Sequence, residues 1–469
     1  MRASSVRETQ EVGAKVELPG KLETGLRYGF GFDLVEAHLT RLPPPLKCDI
    51  TIVERHPTLR TTGQQIDLRG QGIDAMRVTG LEPQVRAIVV NEPGLRYMDR
   101  RGRTVAYMAS NKTGKGAQTF SAEWEIMRGD LCRVLYEATV GLDGVRYVFG
   151  KTVEEIAQPL EAEQKRKGPV RVRFDDGSEG EYDLLVGCDG VGSRTRRRMF
   201  TDGRKENLLH VGAWFALFSV PPRDGDTADA TYYHLPGRRT VMTRRDRPDC
   251  LRVALGYAGD DERLFEAIRH GTVAEQKEAW ANLFRHDMHQ SWNMERYLDG
   301  MLHSAEAEQD FYTQELVQVR LDSWSEGRVV LLGDSAFCPC PLTGFGTSLA
   351  LAGAYVLAGE IARACSRAHS AGGGGAANPW DAIPDALAAY ETTLRPLVTH
   401  VQDMPVRTIV RYAIPKSGWV ITFYQWMFWL LIGVLRIDKL LARFGSDDKG
   451  QWKLPIYPEL SSPAYKERK

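Results

Sequence analysis

The first part of the chain alternates short apolar runs with helical patterns, which predicts an α/β unit. The first strand pattern is the β-branched apolar run at 48–54, and further strand patterns of five to seven residues follow at 145–149, 170–174 and 182–188. Amphipathic spacing predicts helices over 33–42, where three prolines end the pattern, and over 130–140. The run 48–54 (CDITIVE) ends on a carboxylate, Glu54.

The pattern changes over residues 208–318, where short strands are separated by Pro, Gly and Asp turns. These strands are predicted at 211–220, 231–235, 240–244 and 251–257. They indicate a separate, largely antiparallel domain. A fully apolar strand then returns at 328–332, followed by a small-residue helix over 346–364 and a further helix over 384–400.

Composition narrows the class of protein. The 469 residues carry 61 basic and 61 acidic side chains, a formal charge of +0 and a pI near 7.1, which gives no electrostatic reason to expect nucleic acid. Hydrophobic residues at 43% and charged residues at 26% are globular values. Seven cysteines without a C-x-x-C pair fit a reducing compartment, and the first residues lack the apolar segment of a secretory signal. We therefore expect a cytoplasmic enzyme with a small-molecule substrate.

An acid at the end of a buried strand, such as Glu54, is typical of the second strand of a dinucleotide fold, where it binds ribose hydroxyls. The upstream glycine fingerprint is incomplete. Gly29-Phe30-Gly31 is near the expected place, but Leu34 occupies the third glycine position and Asp33 adds a negative charge. Residues 15–27 look too polar for a central first strand. Either residues 1–35 come from a wrong gene model, or the chain has an impaired phosphate loop.

Three further blocks have features of a nucleotide site. Residues 187–196 (GCDGVGSRTR) follow a strand with an acid, glycines and clustered arginines. Residues 331–336 end a strand with Asp334, and 341–347 lead to a helix N-terminus that can stabilise negative charge. Residues 125–130 place Arg128 at a helix entrance.

In this order, together with 63–70 (GQQIDLRG), these motifs resemble the flavin-dependent aromatic hydroxylases of the p-hydroxybenzoate hydroxylase fold, in the branch of tetracycline-inactivating and secondary-metabolite monooxygenases. The resemblance runs from about residue 34 to the C-terminus. It implies an α/β fold with a Rossmann-like FAD-binding domain, an inserted antiparallel β-sheet substrate domain and C-terminal helices. The implied boundaries are 1–35 (atypical N-terminus), 36–207 and 319–400 (FAD-binding domain), 208–318 (substrate domain) and 401–469 (helical region).

The resemblance also implies a reaction. FAD would be reduced by NADPH or NADH, and one oxygen atom of O2 would pass to a small aromatic or polyketide-like substrate, so no catalytic side chain is singled out. The implied cofactor residues are Glu54 on the adenosine ribose, Arg60 for NADPH, Gly63 in its motif, Asp67 and Arg128 on the flavin, Asp189 and Gly190 for both cofactors, Asp334 on the ribityl or pyrophosphate portion, and Gly344 and Gly346 along the isoalloxazine.

Other functions remain open at this point. A non-catalytic remnant of the fold is the main alternative, because the phosphate loop is damaged. A halogenase or other flavin-dependent oxidoreductase is a second, although no Trp-x-Trp-x-Ile-Pro segment is present. No metal site is expected, since Cys338 and Cys340 have no partner pair at ligand spacing. The aromatic residues at 214, 215, 218 and 232–234 could face a planar substrate, but most of them should be ordinary sheet packing.

Residues 417–435 form an uncharged segment of 19 residues with six aromatic side chains. It is nearly long enough to span a bilayer. The aromatic content and the amphipathic continuation favour a helix that packs across the domains or makes peripheral contact with a membrane, ahead of one that spans it.

Overall fold

The computed structural model describes residues 48–61, 63–110, 124–159, 161, 167–200, 208–371, 378–437 and 452–460, together with the backbone of residues 22–27. The helix predicted at 33–42 and the Gly29-Phe30-Gly31 segment lie outside the described residues.

The described strands fall into four sheets. They are β1 (Leu22–Arg27), β2 (Cys48–Glu54), β3 (Gln65–Leu68), β4 (Gly94–Met98), β5 (Thr104–Ala109), β6 (Trp124–Met127), β7 (Val145–Phe149), β8 (Val153–Ala157), β9 (Val170–Phe174), β10 (Glu179–Tyr182), β11 (Leu184–Gly187), β12 (Leu208–Val220), β13 (Ala230–Leu235), β14 (Arg239–Arg247), β15 (Cys250–Tyr257), β16 (Tyr312–Val319), β17 (Ser325–Glu326) and β18 (Val329–Leu331).

The described α-helices lie between these strands and at the C-terminal end. They are α1 (Gly70–Thr79), α2 (Glu82–Ala87), α3 (Arg128–Thr139), α4 (Arg194–Met199), α5 (Glu262–His270), α6 (Val273–Phe284), α7 (Met294–His303), α8 (Ala305–Asp310), α9 (Asp334–Phe337), α10 (Gly346–Ala371), α11 (Ile383–Gln402), α12 (Val406–Ala413) and α13 (Gly418–Phe428).

A six-stranded sheet with the order β17-β18-β11-β1-β2-β7 forms the first layer of the fold. Its strands run parallel except β17, which is antiparallel to β18. The expectation that residues 15–27 are too polar for a central strand is wrong, because β1 pairs with β2 on one side and β11 on the other. Backbone hydrogen bonds to two neighbours hold a strand whatever the polarity of its side chains. The α/β, Rossmann-like topology is as predicted.

A seven-stranded sheet, β16-β12-β15-β14-β13-β4-β5, forms the second layer and is antiparallel except for the β13–β4 pair. It contains the four strands predicted between 211 and 257. It also contains β4 and β5, two strands that the sequence pattern does not predict. Of the two smaller sheets, β10-β9-β8 is antiparallel, and β3 pairs with β6.

The two faces of the seven-stranded sheet have different environments. One face is buried against α5, α6, α7 and α8, where Trp214, Phe218 and Tyr233 join a continuous apolar core. The other face carries a row of directly opposed side chains, which we call the cleft row. The cleft row runs from β16 to β4 as Tyr312, Leu217, Ala254, Met242, Tyr232 and Tyr97. Its first five members are only partly buried, unlike Trp214, Phe218 and Tyr233 on the opposite face.

The longest helix, α10, is a core element. Leu351, Val356 and Ile361 are fully buried in the core of the parallel sheet. Gly346–Ser370 is the one helix among the described residues that is long and apolar enough to cross a membrane, and 89% of its most apolar window is buried inside the protein. The helices over Pro379–Ala413 and Gly418–Val434 meet that criterion only as a pair, and they are bent by 112° at the break between them.

Candidate active site

The carboxyl ends of β2, β11 and β18 lie at one edge of the parallel sheet, where nucleotides bind in folds of this type. Glu54 ends β2 and is 7% exposed. Its Oε1 accepts the backbone N–H of His56 at 2.7 Å. Among the described residues this is the one hydrogen bond shown for the carboxylate, so Glu54 retains capacity to accept hydroxyl donors.

Asp189 follows β11 and caps α4. Its carboxylate accepts the backbone N–H groups of Arg194 at 2.8 Å and Thr195 at 3.0 Å, as well as the hydroxyls of Ser193 and Thr195. Gly190 has φ +76°, a left-handed conformation that favours glycine. Asp189 therefore fixes the turn that leads into α4.

The loops that follow β11 and β18 are joined by buried hydrogen bonds. The Ser335 hydroxyl donates to the carbonyl of Gly187 at 2.5 Å, and the backbone N–H of Leu332 donates to the same carbonyl at 3.0 Å. Arg196 in α4 donates to the carbonyl of Ser335 at 2.9 Å. Asp189 and Asp334, which are 145 positions apart in the sequence, consequently lie on adjoining loops.

Asp334 lies between the start of α10 and Arg128. A Cβ added at Gly346 would be 3.8 Å from Asp334 Oδ1. Burial raises the pKa of the Asp334 carboxyl, and the Cys338 thiol and the Arg128 guanidinium partly oppose that rise. Asp334 therefore lies next to the start of α10, and its carboxyl interacts electrostatically with Arg128, which is 206 positions away in the sequence.

Thr61, Gly63 and Gln64 pack on the start of α3. A Cβ at Gly63 would be 2.9 Å from Cδ of Arg128, and a Cβ at Gly129 would be 1.7 Å from the carbonyl oxygen of Thr61. The backbone N–H of Arg128 donates to the carbonyl of Gln64 at 3.1 Å. The two glycines permit this close approach, which holds Arg128 beside the loop.

Asp67 and Gly344 meet on the same side of the cleft. A Cβ at Gly344, which has φ +67°, would be 3.3 Å from Asp67 Oδ2. Arg69 binds Asp67 at 2.6 Å and lies 5.9 Å from the ring centroid of Phe345. The backbone N–H of Arg69 donates to Ser348 Oγ at 2.8 Å.

Three residues of the candidate site are not singled out by the sequence motifs: Arg69, Phe345 and Ser348. Arg69 is the arginine of the GQQIDLRG block, and Phe345 lies between the two glycines that the resemblance had singled out. Their positions inside recognised motifs were the available signal. The contact between positions 69 and 348 itself depends on the fold.

Arg60 is exposed. Burial raises the pKa of Tyr312 to about 12, and the nearby positive charges of Arg128, Arg252 and Arg60 oppose that rise. Tyr312 is the first member of the cleft row. Arg128 and Arg60 therefore lie within electrostatic range of the start of the cleft row.

The aromatic residues on β12 and β13 divide between the two faces of that sheet. Trp214, Phe218 and Tyr233 belong to the core beneath the helices, as expected for most of the group. Tyr232 is in the cleft row, and His234 hydrogen-bonds to the Tyr97 hydroxyl at 3.0 Å on the same side.

Comparison with known proteins identifies the family. A family model described as "FAD binding domain" matches residues 48–372. The chain is 40% identical to the flavin-dependent monooxygenase eupH of Phoma sp over 81% of this chain and 85% of that protein. It is 36% identical to the FAD-dependent monooxygenase asL4 of Sarocladium schorii over 88% of this chain and 93% of that protein.

Solved structures have the same fold. Tetracycline destructase Tet(51) superposes with a TM-score of 0.66 at 24% identity, over 94% of this chain and all of that chain. HpxO of Klebsiella pneumoniae, complexed with FAD and uric acid, superposes with a TM-score of 0.60 at 17% identity, over 90% of this chain and 96% of that chain.

The chain belongs to the FAD-dependent monooxygenases. It is an FAD-binding oxidoreductase, and its relatives fit the predicted monooxygenase rather than a non-catalytic remnant or a halogenase.

Proposed function

We propose that this monooxygenase uses NADPH or NADH and O2 to insert one oxygen atom into a small organic substrate bound against the cleft row. The observation that carries the proposal is the position of Tyr312, which begins the cleft row and lies within electrostatic range of Arg60 and Arg128. The cleft between the two layers can hold a cofactor on one side and a substrate on the other.

The residues on the nucleotide side fit a flavin. Nε of Arg69 and Oε1 of Gln65 are buried, and neither has a hydrogen-bond partner among the described residues. An isoalloxazine edge carries an N–H donor, which matches the unpaired acceptor Oε1 of Gln65. It also carries carbonyl acceptors, which match the unpaired donor Nε of Arg69. When bound, FAD supplies the redox chemistry, by accepting electrons from the nicotinamide nucleotide and activating O2.

The chain's own residues would bind and orient the flavin. We assign Glu54 to the adenosine ribose, because its free acceptor capacity lies at the nucleotide edge of the sheet. Asp334 would accept hydroxyl donors of the ribityl portion, with Arg128 opposite. The N-terminus of α10 at Gly346 would stabilise negative charge on the ring.

Other assigned residues would act on the shape of the site. Asp67 holds Arg69 in place, and Gly344 and Gly63 allow close approach of the backbone. Asp189 uses its carboxylate to cap α4, so we propose that Asp189 and Gly190 position the loop next to both cofactors. Arg60, which is exposed, remains our candidate for the phosphate of NADPH.

The relatives suggest the substrate class. eupH and asL4 are fungal monooxygenases, and HpxO is complexed with a planar ring compound, uric acid. A row of partly buried Leu, Met and Tyr side chains suits an aromatic or polyketide-like ring system.

Spectroscopy and oxygen labelling test the proposal. The protein should show flavin absorbance at roughly 370 and 450 nm, either as purified or after FAD has been added. NADPH and NADH oxidation with candidate ring compounds should consume O2, and isotopically labelled O2 should supply the product oxygen. Label from water in place of label from O2 would contradict the proposal.

We propose a cytoplasmic location with peripheral contact between residues 417–435 and a membrane. The exposed aromatic side chains of this segment support the contact.

A further inference from the structure

The C-terminal helices carry most of the exposed apolar surface of the described chain. Thirteen large hydrophobic residues are exposed among the described residues, and eight of them lie between positions 409 and 435. We call these eight the aromatic face. They are Ile409, Tyr412, Trp419, Phe423, Trp426, Trp429, Val434 and Leu435. A concentration of exposed apolar side chains of this kind marks a site of interaction.

The helix α13 is apolar on all sides, and the rest of the protein covers only one of these sides. Ile421 and Ile432 are buried, and Phe428 packs against Tyr97 with ring centroids 4.8 Å apart. Trp419, Phe423 and Trp426 recur at intervals of four and three residues, which places them together on the opposite side. Their exposed fractions are 76%, 49% and 54%. A helix that is apolar all round needs an apolar or interfacial environment on its uncovered side.

Charge selects among the partners that could cover this surface. The segment from 404 to 437 contains no acidic residue and four basic ones, all of them exposed: Arg407, Arg411, Lys416 and Arg436. Tryptophan and tyrosine are enriched where a membrane meets water, and basic residues next to them are attracted by anionic headgroups.

We infer that the aromatic face, with its surrounding basic residues, docks on the surface of an anionic membrane without crossing it. The inference deepens the peripheral contact proposed above, since it adds α12 to the surface and specifies anionic lipid. The bend of 112° before α13 and the burial of Ile421 and Ile432 inside the protein allow α13 to lie along a surface. Because the inner side of α13 covers Tyr97, the last member of the cleft row, docking brings that end of the substrate cleft to the lipid surface.

Vesicle sedimentation of the purified, full-length, flavin-bound protein tests the inference. The protein should sediment with phosphatidylcholine–phosphatidylserine vesicles, weakly with phosphatidylcholine alone, and less as salt is raised. Trp419→Glu with Trp426→Glu should lower the partition coefficient at least about tenfold. Val273→Glu is the matched control, because Val273 is 54% exposed on α6, outside the aromatic face, and binding should be unchanged.

A charge variant gives a second measurement if the tryptophan variant folds poorly. Arg411→Gln, Lys416→Gln and Arg436→Gln together should abolish the preference for anionic vesicles. Carbonate should release the wild-type protein. Failure of the wild type to bind vesicles, retention after carbonate, or a dimer that the tryptophan variant dissociates would overturn the inference. Flavin absorbance recorded on the same samples tests the proposed function separately.

Discussion

Nη1 of Arg196 lies 2.9 Å from the backbone carbonyl oxygen of Ser335, a residue 139 positions further along the chain. Nη2 of the same side chain lies 2.6 Å from the carbonyl oxygen of Val191. Arg196 is 1% exposed. One guanidinium therefore holds the loop that contains Asp189 at a fixed distance from the loop that contains Asp334.

Replacing Arg196 should destabilise the protein. Arg196→Leu leaves the two carbonyl groups without their charged donor, and we expect a loss of about 2–4 kcal/mol in the free energy of unfolding. Denaturant titration measures this. Arg194→Leu on the same helix is the control, because Arg194 is exposed, and it should change stability by less than about 0.5 kcal/mol. Equal stabilities would show that the link between the loops has no energetic role.

A methyl group at Gly129 should displace the backbone of Thr61. In Gly129→Ala the new carbon would be 1.7 Å from the Thr61 carbonyl oxygen, so the backbone has to move, at a cost of about 3 kcal/mol or more. We also expect lower FAD content, since Arg128 adjoins the same loop. Gly141→Ala, near the end of α3, meets no atom within 4 Å and serves as the control in thermal unfolding. A Gly129→Ala protein as stable as that control would contradict the packing.

The sequence predicts strands well where burial on both faces leaves an unbroken β-branched run. Cys48–Glu54, which is buried along nearly its whole length, has the predicted bounds for this reason. The polar side chains of residues 15–27 argue against a central strand. The strand Leu22–Arg27 nevertheless forms, because its pairing depends on backbone hydrogen bonds with β2 and β11. The strands β4 and β5 were missed, because their membership of the substrate sheet is a tertiary contact.

Local motifs predict candidate site residues where strand and helix ends carry the chemistry. Arg128, Asp334 and Gly346 are predicted in this way, and their roles toward the cofactor stay predictions. In the structure Asp334 lies beside Gly346 and within electrostatic range of Arg128. The pairing of Arg69 with Ser348 joins positions 279 residues apart, and no local pattern encodes it. The capping of α4 by Asp189 was also missed, although a Ser-x-x-Arg sequence beside an acid is compatible with a helix start.

Asp334 should weaken the cofactor-free fold while strengthening cofactor binding. Its pKa in the folded state is raised by burial, so its contribution to stability is present below the unfolded pKa and is lost as the pH rises. At neutral pH the carboxylate therefore carries a cost, and Asp334→Asn should raise the melting temperature of the FAD-free protein. The same change should raise the Kd for FAD about 10- to 100-fold, because it removes a charged acceptor.

Thermal unfolding without FAD and fluorescence titration with FAD measure the two effects. Asp322→Asn is the control, since Asp322 is exposed and lies before β18. A variant that loses stability and keeps its FAD affinity would remove Asp334 from the cofactor site.

His234 should make the fold sensitive to acid. The residue is 4% exposed, and its Nε2 lies 2.7 Å from the carbonyl oxygen of Ala413. A carbonyl only accepts, so Nε2 carries the proton and Nδ1 accepts from the Tyr97 hydroxyl at 3.0 Å. The imidazole is neutral in this arrangement. Burial lowers the pKa of His234 to about 4, against an ordinary value of 6.5.

Because the folded pKa is depressed, the stabilising contribution is complete above pH 6.5 and is lost as the pH falls toward 4. Between pH 6.5 and 5 the loss should be about 2 kcal/mol, at 1.36 kcal/mol per pH unit for one proton. His234→Gln keeps a donor and an acceptor but does not titrate, so urea unfolding at pH 7.5 and pH 5 should show a smaller acid loss in the variant. The neighbouring Tyr97 and Tyr232 stay neutral over this range, because burial raises their pKa values. Parallel pH profiles for the two proteins would mean that His234 is not a buried neutral group in the folded state.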